Sequence, residues 1–484
     1  MQSLTVSPSN SLIMRPYQAV DIGRLRAEYA LGRRAVIYQL ATGGGKTVVF
    51  SNIVAGAVHK GRRVGVLTHR RELITQASAK LDWTGVPHGI MAAGLDRDHA
   101  APVQVMSIQS VINRLAELPQ FDFLVLDECH HAVADTWAAL LNSQPKAKIL
   151  GVTATPIRRD GKGLGVDAGG FFQSIVCGPS VATLTQAGYL APVTVYEAAR
   201  KIDTAGLRKV AGDWAAGDEM AARACVVTGD AVAEYQAKAA GKSAVAFCVT
   251  VAHAEQVAQA FRDAGLRSAC VHGATPKPER DSTLAALGTG GIDVVTACDL
   301  ISEGLDIPSI GAAILLRPSG SLGLVRQQVG RGMRPKADGS ALVVIDHAGN
   351  IERHGDIDED ITWTLDGAVR KPKAAAEAAL GLGVGMGKPR TVEQVDGALV
   401  LRDKALAAAA KWRRMTYRTF KGKRRTGAEI AAFAAAKNYK YGWQMKFARE
   451  QAEQFAARPA AAVIAGPATD YSTLRGMLTV AFPS

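Results

Sequence analysis

The sequence predicts an α/β protein with two tandem parallel-sheet domains, followed by a mainly helical, basic C-terminal region. Two long stretches alternate short apolar runs with polar helical segments, a pattern typical of parallel sheets covered by helices. A glycine-rich passage near 366–397 then separates these stretches from a segment rich in Ala, Lys, Arg and Gln. The charge distribution changes at the same place.

The first stretch contains five predicted strands that are apolar along their whole length, as strands buried on both faces are. They cover residues 33–40, 62–68, 103–108, 121–128 and 147–155. Helical segments fall between them, for example at 71–81 and 135–142. This alternation predicts a parallel sheet with helices on both faces.

The second stretch begins near residue 240 and has the same layout. Its predicted strands cover residues 243–249, 268–273, 292–298, 311–316 and 340–346. A helix is predicted at 254–265, ending at Gly265, because glycine is favoured at helix C-termini. The shared layout predicts that the two domains are similar.

The predicted domain boundaries follow these changes of pattern. The first domain covers 1–195 and the second covers 241–368. Between them, 196–240 is predicted to be a linker with leading helices, and no clear strand is predicted over about 190–240. Residues 369–398 are predicted to be a Gly-rich hinge, and 399–484 a basic helical accessory region.

The excess positive charge is concentrated in the last quarter of the chain. The net charge of the 484 residues is +13, and residues from 371 onward carry 20 Lys and Arg against 8 Asp and Glu. The preceding 370 residues carry 37 basic and 36 acidic side chains. This asymmetry predicts a polyanion-binding appendage on a nearly neutral core.

Composition argues against several other classes of protein. No apolar run approaches the roughly 18 residues that span a bilayer, and the N-terminus lacks the pattern of a secretory signal. The cysteines lie too far apart for a Cys-only zinc site: Cys129, Cys177, Cys225, Cys248, Cys270 and Cys298. We therefore expect a cytoplasmic protein with reduced thiols and no membrane partner.

A glycine-rich segment, ATGGGKT (41–47), follows the first predicted strand and precedes a helix. Such a turn points backbone N–H groups at phosphates, and the helix N-terminus adds positive potential. The predicted nucleotide ligands are Thr42, Gly43, Gly44, Gly45, Lys46 and Thr47. Lys46 would reach the β- and γ-phosphates, and Thr47 would hold Mg²⁺. Leu40 stands where the full pattern has its first glycine.

A pair of carboxylates, Asp127 and Glu128, ends another predicted strand in the segment VLDECHH. Asp127 would hold Mg²⁺ directly or through water, and Glu128 would polarise the attacking water. The pair follows the phosphate loop by about 80 residues, a spacing that favours one shared ATP site over an unrelated strand end.

These motifs resemble those of superfamily 2 helicases of the DEAD/DEAH-box (DExH) type. The corresponding segments occur in the family's order: RPYQ (15–18), THRRELITQ (68–76), DECH (127–130), TATP (153–156), ACDLISEGLDIP (297–308) and QQVGRGMRP (327–335). The resemblance covers roughly residues 12–365. It implies two RecA-like domains and an ATPase that acts on nucleic acid.

The resemblance also implies roles for individual residues. Arg15 and Gln18 would recognise the adenine, and Gly304 and Asp306 would lie near the ribose and the domain interface. Thr153 and Thr155 would couple the ATP state to the grip on nucleic acid. Besides Lys46, Asp127 and Glu128, the implied catalytic residues lie in the second domain: Gln327, Arg331 and Arg334.

Nucleic-acid contacts are implied at motif positions and favoured by composition further on. The motif positions are Thr68, His69, Arg70, Gln109, Ser110, Thr250 and Ser302. In the C-terminal region, cations interleave with aromatic residues, so that phosphates and exposed bases could both be bound. The candidates there are Trp412, Arg413, Arg414, Lys421, Lys423, Arg424 and Arg425. A helical accessory with a solvated basic face is the alternative.

Details of the motifs resemble phage and bacterial DNA translocases of the RecG-like and XPB-like kind. THRREL differs from the corresponding RNA-helicase motif, and SEGLDIP and IDHAGN (345–350) fit the DNA branch. A DNA helicase or translocase of replication, recombination or repair is expected, with proteins of those processes as candidate partners. A restriction-complex motor, an ATP-gated clamp or remodeller, and an RNA helicase remain alternatives. The oligomeric state is not indicated, although a monomer is slightly favoured.

Overall fold

The structure is a computed structural model of the 484-residue chain. It describes residues 14–68, 71–92, 94–132, 135–158, 161–198, 228–298, 310–367 and 399–401, with scattered positions in 204–224 and 415–450. The chain divides into two compact units, residues 1–369 with 394–400, and residues 370–393 with 401–484. Both sheets belong to the first unit. In the second, positions 430, 433, 434, 447 and 450 are helical.

The first sheet has seven parallel strands and follows the N-terminal helix. Its elements are α1 (Pro16–Ala30), β1 (Ala35–Gln39), α2 (Lys46–His59), β2 (Val64–Thr68), α3 (Arg71–Trp83), β3 (Gly89–Met91), β4 (Val103–Ser107), α4 (Ile108–Val111), β5 (Phe123–Asp127), α5 (Asp135–Ser143), β6 (Lys148–Thr153), β7 (Ser174–Cys177) and α6 (Val181–Gln186). The strand order is β3-β4-β2-β5-β6-β1-β7. The carboxyl ends of β1, β5 and β6 therefore lie side by side.

The second sheet also has seven strands. The elements that follow α6 are β8 (Val193–Ala198), β9 (Lys209–Val210), β10 (Asp213–Trp214), α7 (Thr228–Ala239), β11 (Ala244–Cys248), α8 (Val251–Asp263), β12 (Ser268–Val271), α9 (Lys277–Gly288), β13 (Val294–Cys298), β14 (Ala312–Leu315), α10 (Leu322–Gly332), β15 (Leu342–Asp346), α11 (Asn350–His354) and β16 (Leu399–Leu401). The strand order is β12-β13-β11-β14-β15-β8-β16. The predicted class of two parallel-sheet domains is confirmed.

The ten predicted strands are all present, each within its predicted range. Their apolar residues are buried on both faces, for example along β1, β2 and β11, because helices cover both sides of each sheet. The predicted helices at 71–81 and 135–142 are also present, and the one predicted at 254–265 begins earlier, at Val251. Gly265 has a φ of 82°, as expected just beyond a helix end.

The prediction that 190–240 contains no clear strand is wrong. Strand β8 straddles the predicted boundary at residue 195 and pairs in parallel with β15, with Val193 opposite Leu342. Of the residues whose burial is described in β8, only Val195 is fully buried, so β8 lacks the continuous apolar run of the central strands. The segment β9–β10 forms a small antiparallel hairpin.

This hairpin packs against the loop that precedes α10. The carboxylate of Asp213 accepts a hydrogen bond from the backbone N–H of Gly320 (2.5 Å) and one from the hydroxyl of Ser319 (3.1 Å). The guanidinium of Arg353 lies 4.6 Å from the centre of the Trp214 ring, a cation–π contact. The hairpin thereby helps to fix the loop from which α10 starts.

Each sheet carries its own apolar core. The first core includes Leu124, Leu126, Trp137 and Phe172, and the second includes Tyr235 and Phe261 packed edge to face. Burying an aliphatic or aromatic side chain of this size contributes about 1.5–3 kcal/mol. No helix in the part of the chain that the structure describes is long and apolar enough to cross a membrane.

Two histidines lie buried inside the second domain. Burial lowers the pKa of His253 and of His347 to about 4, so both are neutral in the folded protein at pH 5. Within the described residues, neither ring nitrogen of His347 has a hydrogen-bond partner. In the unfolded chain a histidine ordinarily titrates near pH 6.5. Stability is therefore lost as the pH falls from 6.5 toward 4.

Replacing His347 by Leu should remove its share of this acid sensitivity. When the pH is lowered from 7 to 5, the free energy of unfolding of wild type should fall by about 2 kcal/mol more than that of the variant. The reason is that only wild type has at this position a histidine that is neutral when folded and becomes protonated on unfolding. Burial raises the pKa of Asp346 to about 6, so this carboxyl group favours the folded state as the pH falls. Because Asp346 is present in both proteins, it does not contribute to the difference between them.

Denaturant titrations of the full chain at the two pH values measure this difference. The exposed His59 provides a matched control, since His59→Leu should shift stability equally at both pH values. A His347→Leu variant with the same pH dependence as wild type would contradict the argument.

Candidate functional site

The glycine-rich turn between β1 and α2 adopts a conformation that needs glycine. Gly43 and Gly45 have φ angles of 83° and 88°, and Gly45 directly precedes the first residue of α2. The buried Leu40 explains the departure at the first glycine of the motif. Its side chain fills the space beside Gly44, where a Cβ would lie 2.7 Å from Leu40 Cγ. The predicted order of strand, glycine turn and helix is confirmed.

Lys46 begins α2 and is partly buried under the turn. Its ammonium group donates a hydrogen bond to the carbonyl oxygen of Leu40, at 3.2 Å. Burial lowers the pKa of Lys46, while the nearby carboxylates of Glu128 and Asp127 act in the opposite direction. A partly buried cation close to a glycine turn is suited to binding a phosphate group, which would replace the carbonyl as its partner.

Asp127 and Glu128 lie at the end of β5, beside Lys46. Burial, and then the charge of Glu128, raise the pKa of Asp127, whereas Lys80 and Lys46 lower it. Glu128 has a φ of 49°, a left-handed conformation that is uncommon outside glycine and is often found at functional sites. Its backbone N–H donates to the carboxylate of Asp127, at 3.1 Å. Lys80 was not predicted from the sequence.

A chain of polar contacts leads from Glu128 to the second domain. Nδ1 of His130 lies 3.4 Å from Oε2 of Glu128 and 3.0 Å from the hydroxyl oxygen of Thr153. That hydroxyl accepts from the backbone N–H of Thr155 at 3.1 Å. A Cβ at Gly323, near the start of α10, would lie 3.2 Å from the hydroxyl oxygen of Thr155. The predicted coupling residues thus lie between the carboxylate pair and α10.

The segment RPYQ holds the glycine turn from the side of α1. The side-chain amide of Gln18 donates to the carbonyl oxygens of Gly44 and Gly45, each at 3.4 Å, and accepts from the backbone N–H of Arg15 at 2.9 Å. The Tyr17 hydroxyl also donates to the carbonyl oxygen of Gly44. These contacts place Arg15 and Gln18 next to the turn.

Two tyrosines in this region were missed by the sequence analysis. The guanidinium of Arg15 lies 4.7 Å from the centre of the Tyr189 ring, and the rings of Tyr17 and Tyr189 are in edge-to-face contact at 5.4 Å. Tyr17 lies inside the RPYQ motif, so its aromatic side chain within that motif could have predicted a place in the site. Tyr189 lies far along the chain in a loop after α6 and gave no such signal.

Helix α10 of the second domain packs directly on the glycine turn of the first. A Cβ at Gly330 would lie 2.7 Å from Cβ of Thr42, and a Cβ at Gly43 would lie 2.9 Å from a methyl group of Leu190. The backbone N–H of Ala191 donates to the carbonyl oxygen of Met333, at 2.7 Å. Close approach of the two domains therefore depends on the absence of a side chain at Gly330.

Two of the catalytic residues predicted in the second domain lie in α10, and the third follows the end of that helix. The positive charge of Arg331 contributes to lowering the pKa of Lys46, so the two cations lie within electrostatic range across the domain boundary. Gln327 is buried in the same helix. Arg334 follows the end of α10 and its side chain is exposed. A cavity of about 90 Å³ lies between the domains, lined in part by Thr42, Thr155 and Gly330.

The predicted nucleic-acid contacts are only partly described. Thr68 is buried and its hydroxyl donates to the carbonyl oxygen of Met106, while Thr250 caps α8 by accepting from the backbone N–H of His253. Ser110 bonds to the hydroxyl of Ser107, and Gln109 is exposed. The remaining predicted nucleic-acid positions lie outside the described residues: His69, Arg70, Ser302, Trp412, Arg413, Arg414, Lys421, Lys423, Arg424 and Arg425. Gly304 and Asp306, predicted near the ribose and the domain interface, also lie outside them.

Comparisons with protein families match both sheets. The family described as the type III restriction enzyme res subunit matches residues 11–158, and the helicase conserved C-terminal domain matches residues 228–336. Their order along the chain is that of the two domains. Together they include the glycine turn, the carboxylate pair and helix α10 with Arg331.

Two solved structures have a similar fold. A fragment of an HsdR subunit of a type I restriction enzyme from Vibrio vulnificus matches with a TM-score of 0.53 and 22% identity, over 72% of this chain and 67% of the other. The type ISP restriction-modification enzyme LlaBIII, bound to DNA, matches with a TM-score of 0.50 and 18% identity, over 69% of this chain and 27% of the other. At these identities the likeness concerns the fold alone.

Two relatives match in sequence. The 51.5 kDa protein of a Lactococcus phage is 34% identical over 325 residues, which are 67% of this chain and 68% of the phage protein. The helicase-family protein IRC3 of Saccharomyces cerevisiae is 27% identical over 70% of this chain, which spans about half (52%) of IRC3. With the two domain matches and the DECH motif beside the glycine turn, this chain belongs to the superfamily 2 DExH helicases, a family of ATP-dependent nucleic-acid motors.

Proposed function

We propose that this protein is a DNA-stimulated ATPase that translocates along DNA or unwinds it, in replication, recombination or repair. The observation that carries the proposal is the contact between Thr42 of the glycine turn and Gly330 of α10. A nucleotide bound at the turn would lie against the second domain, so its hydrolysis would change the contact between the domains.

In this proposal the two domains share the binding of ATP. The backbone N–H groups of residues 43–47 and the Lys46 ammonium bind the phosphates, and Arg15 and Gln18 hold the base. Arg331 and Arg334 stabilise the charge that develops on the γ-phosphate in the transition state, next to Gln327. The charge of Arg331 near Lys46 supports this role for Arg331.

Mg²⁺ would be held by the hydroxyl of Thr47 and by Asp127, and would neutralise charge on the β- and γ-phosphates. The donor set fits, because Asp127 lies partly buried beside a second carboxylate whose charge raises its pKa. A divalent cation would relieve that repulsion. Glu128 would orient and polarise the attacking water, and its contact with His130 links that step to Thr153.

The preference for DNA is supported by comparison and by charge. The first domain matches a restriction-enzyme family, and LlaBIII, which shares the fold, was solved bound to DNA. The C-terminal quarter carries most of the excess positive charge and is the proposed additional DNA contact. Thr68, Gln109, Ser110 and Thr250 are proposed to line the backbone track through their polar and main-chain groups.

A motor of a restriction or defence complex is the second candidate, favoured by the match to the res subunit family. Such a motor would translocate without separating strands. Strand displacement on forked DNA by the chain alone would exclude it. A third candidate, an ATP-gated clamp or remodeller, predicts ATP turnover that does not increase with DNA length.

The ATP site is tested by Lys46→Ala in a DNA-stimulated ATPase assay. We expect single-stranded, duplex or branched DNA to raise wild-type turnover more than RNA does. The variant should lose about a hundredfold or more of the DNA-stimulated activity, because the charge that holds the γ-phosphate is removed. Lys60→Ala, at the exposed C-terminal end of the same helix, is the matched control and should retain activity. Activity of Lys46→Ala within a few-fold of wild type would refute the assignment, and stronger stimulation by RNA would refute the preference for DNA.

The contact between the domains is tested by Gly330→Ala. The added methyl group would lie 2.7 Å from Cβ of Thr42, so α10 must move away and carry Arg331 with it. We expect stimulated turnover to fall at least about tenfold, because catalysis by Arg331 depends on its position.

The same substitution should not destabilise the second domain itself. Alanine is favoured over glycine inside a helix by up to about 1 kcal/mol. Thermal unfolding monitored by circular dichroism should therefore show an unchanged or higher midpoint. Lost activity with a lower midpoint would point to misfolding, and unchanged activity would contradict the proposed contact.

The C-terminal charge is tested by replacing Lys421, Lys423, Arg424 and Arg425 with Gln. If these residues contact phosphates, the slope of log K against log salt concentration for duplex DNA should become shallower by up to about 3–4, since each neutralised phosphate contributes about 0.9. Lys421→Arg with Lys423→Arg keeps the charge and should keep the slope. A slope equal to wild type in the Gln variant would exclude phosphate contacts there.

A further inference from the structure

A segment after α11 returns from the second domain to the first. Residues 356–367, here called the strap, leave α11 and pair with a loop of the first domain at Lys162. The chain already crosses between the domains once, between α6 and β8. The strap is therefore a second crossing, located after the last helix of the second domain.

One end of the strap is attached to α10. The guanidinium of Arg326 donates to the carbonyl oxygens of Asp356 (3.2 Å) and Glu359 (2.9 Å). Ile357 is buried. Arg326 immediately precedes Gln327 in the helix that packs on the glycine turn, so this end of the strap moves with the helix that carries Arg331.

The other end is attached to the loop after TATP in the first domain. The backbone N–H of Gly165 donates to the carbonyl oxygen of Leu365, at 3.0 Å, and Gly367 forms an antiparallel bridge with Lys162. The Leu365 side chain packs against the first core. At Gly163 the strap is so close that a Cβ would lie 1.8 Å from the carbonyl oxygen of Leu365.

The strap is too short to allow wide separation of its two attachments. From Glu359 to Leu365 there are six Cα–Cα steps, which reach about 20 Å when fully extended. Glu359, Asp360 and Trp363 line the cavity between the domains, next to Thr42 and Gly330. While both ends stay bound, α10 therefore cannot move far from the glycine turn.

We propose that the strap is a tether that keeps α10 docked beside the glycine turn when no nucleotide is bound. It joins the two domains through the backbone N–H of Gly165 and the guanidinium of Arg326, and neither contact involves ATP. Without it, docking would depend on the first crossing, on the direct contacts of α10 with the first domain and on the nucleotide. The strap thereby limits opening between catalytic cycles and favours rapid reassembly of the site.

Disulfide formation between Thr155→Cys and Gly323→Cys provides a direct measure of docking. A Cβ at Gly323 would lie 3.6 Å from Cβ of Thr155, within the 3.5–4.5 Å range of disulfides. The Cys pair is introduced into the full chain, oxidised without nucleotide or nucleic acid, and quantified by mass spectrometry of the linked peptides. Native cysteines are distinguished by the same peptide analysis.

Gly163→Ala is then added to release the strap. Its own backbone accommodates alanine, because φ at Gly163 is not in the left-handed region, but the methyl group overlaps the Leu365 backbone. We expect disulfide formation to slow at least about fivefold. Leu365→Ser, which removes the apolar anchor, should also slow disulfide formation. Gly273→Ala is the control and should leave the rate unchanged, because a Cβ at Gly273 meets no atom within 4 Å.

Hydrogen exchange of the Gly165 amide reports whether the strap has detached. A detached strap with wild-type disulfide formation would overturn the proposal, and exchange that rises in neither variant would contradict the anchoring contacts. Because neither measurement uses ATP or DNA, the result is independent of the proposed motor function.

Discussion

The contact of α10 with the glycine turn is the constraint on which the rest of the candidate site depends. Thr42 lies in the glycine turn of the first domain and Gly330 in helix α10 of the second, and there is no room between them for a side chain. This contact brings the charge of Arg331 within range of Lys46. It also makes the turn a surface shared by two domains, so that anything bound there is sensitive to their relative position.

The charged groups around the turn are partly buried and depend on one another. Lys46 and Asp127 are partly shielded from water, which is unfavourable for each charge alone. The opposite charges offset part of that cost. Repulsion remains among the cations Lys46, Lys80 and Arg331 and between the two adjacent carboxylates. A site of this kind is suited to a ligand that carries both phosphates and a divalent cation, because the phosphates attract the cations and the divalent cation attracts the carboxylates.

Docking of the second domain is supported at several places outside the site. The β9–β10 hairpin fixes the loop before α10 through Asp213, and the strap holds α10 through Arg326. The polar chain from Glu128 through His130 and Thr153 reaches the same helix at Gly323. Helix α10 is thus contacted by Thr155 and by the strap, and the loop before it by the hairpin, a disposition expected of the element that transmits a change at the nucleotide.

The sequence by itself determined the two parallel sheets, their ten central strands, the glycine turn and the carboxylate pair. Continuous apolar runs report burial on both faces, and Gly43 and Gly45 report a backbone that other residues strain to adopt, so both signals are local. Only the tertiary structure decided what depends on distant partners. Strand β8 is half-buried and acquires its place by pairing with β15, Tyr189 meets Arg15 from far along the chain, and Thr250 proves to cap a helix. The strap was invisible for the same reason, because its contacts with Gly165 and Arg326 exist only once both domains have folded and met.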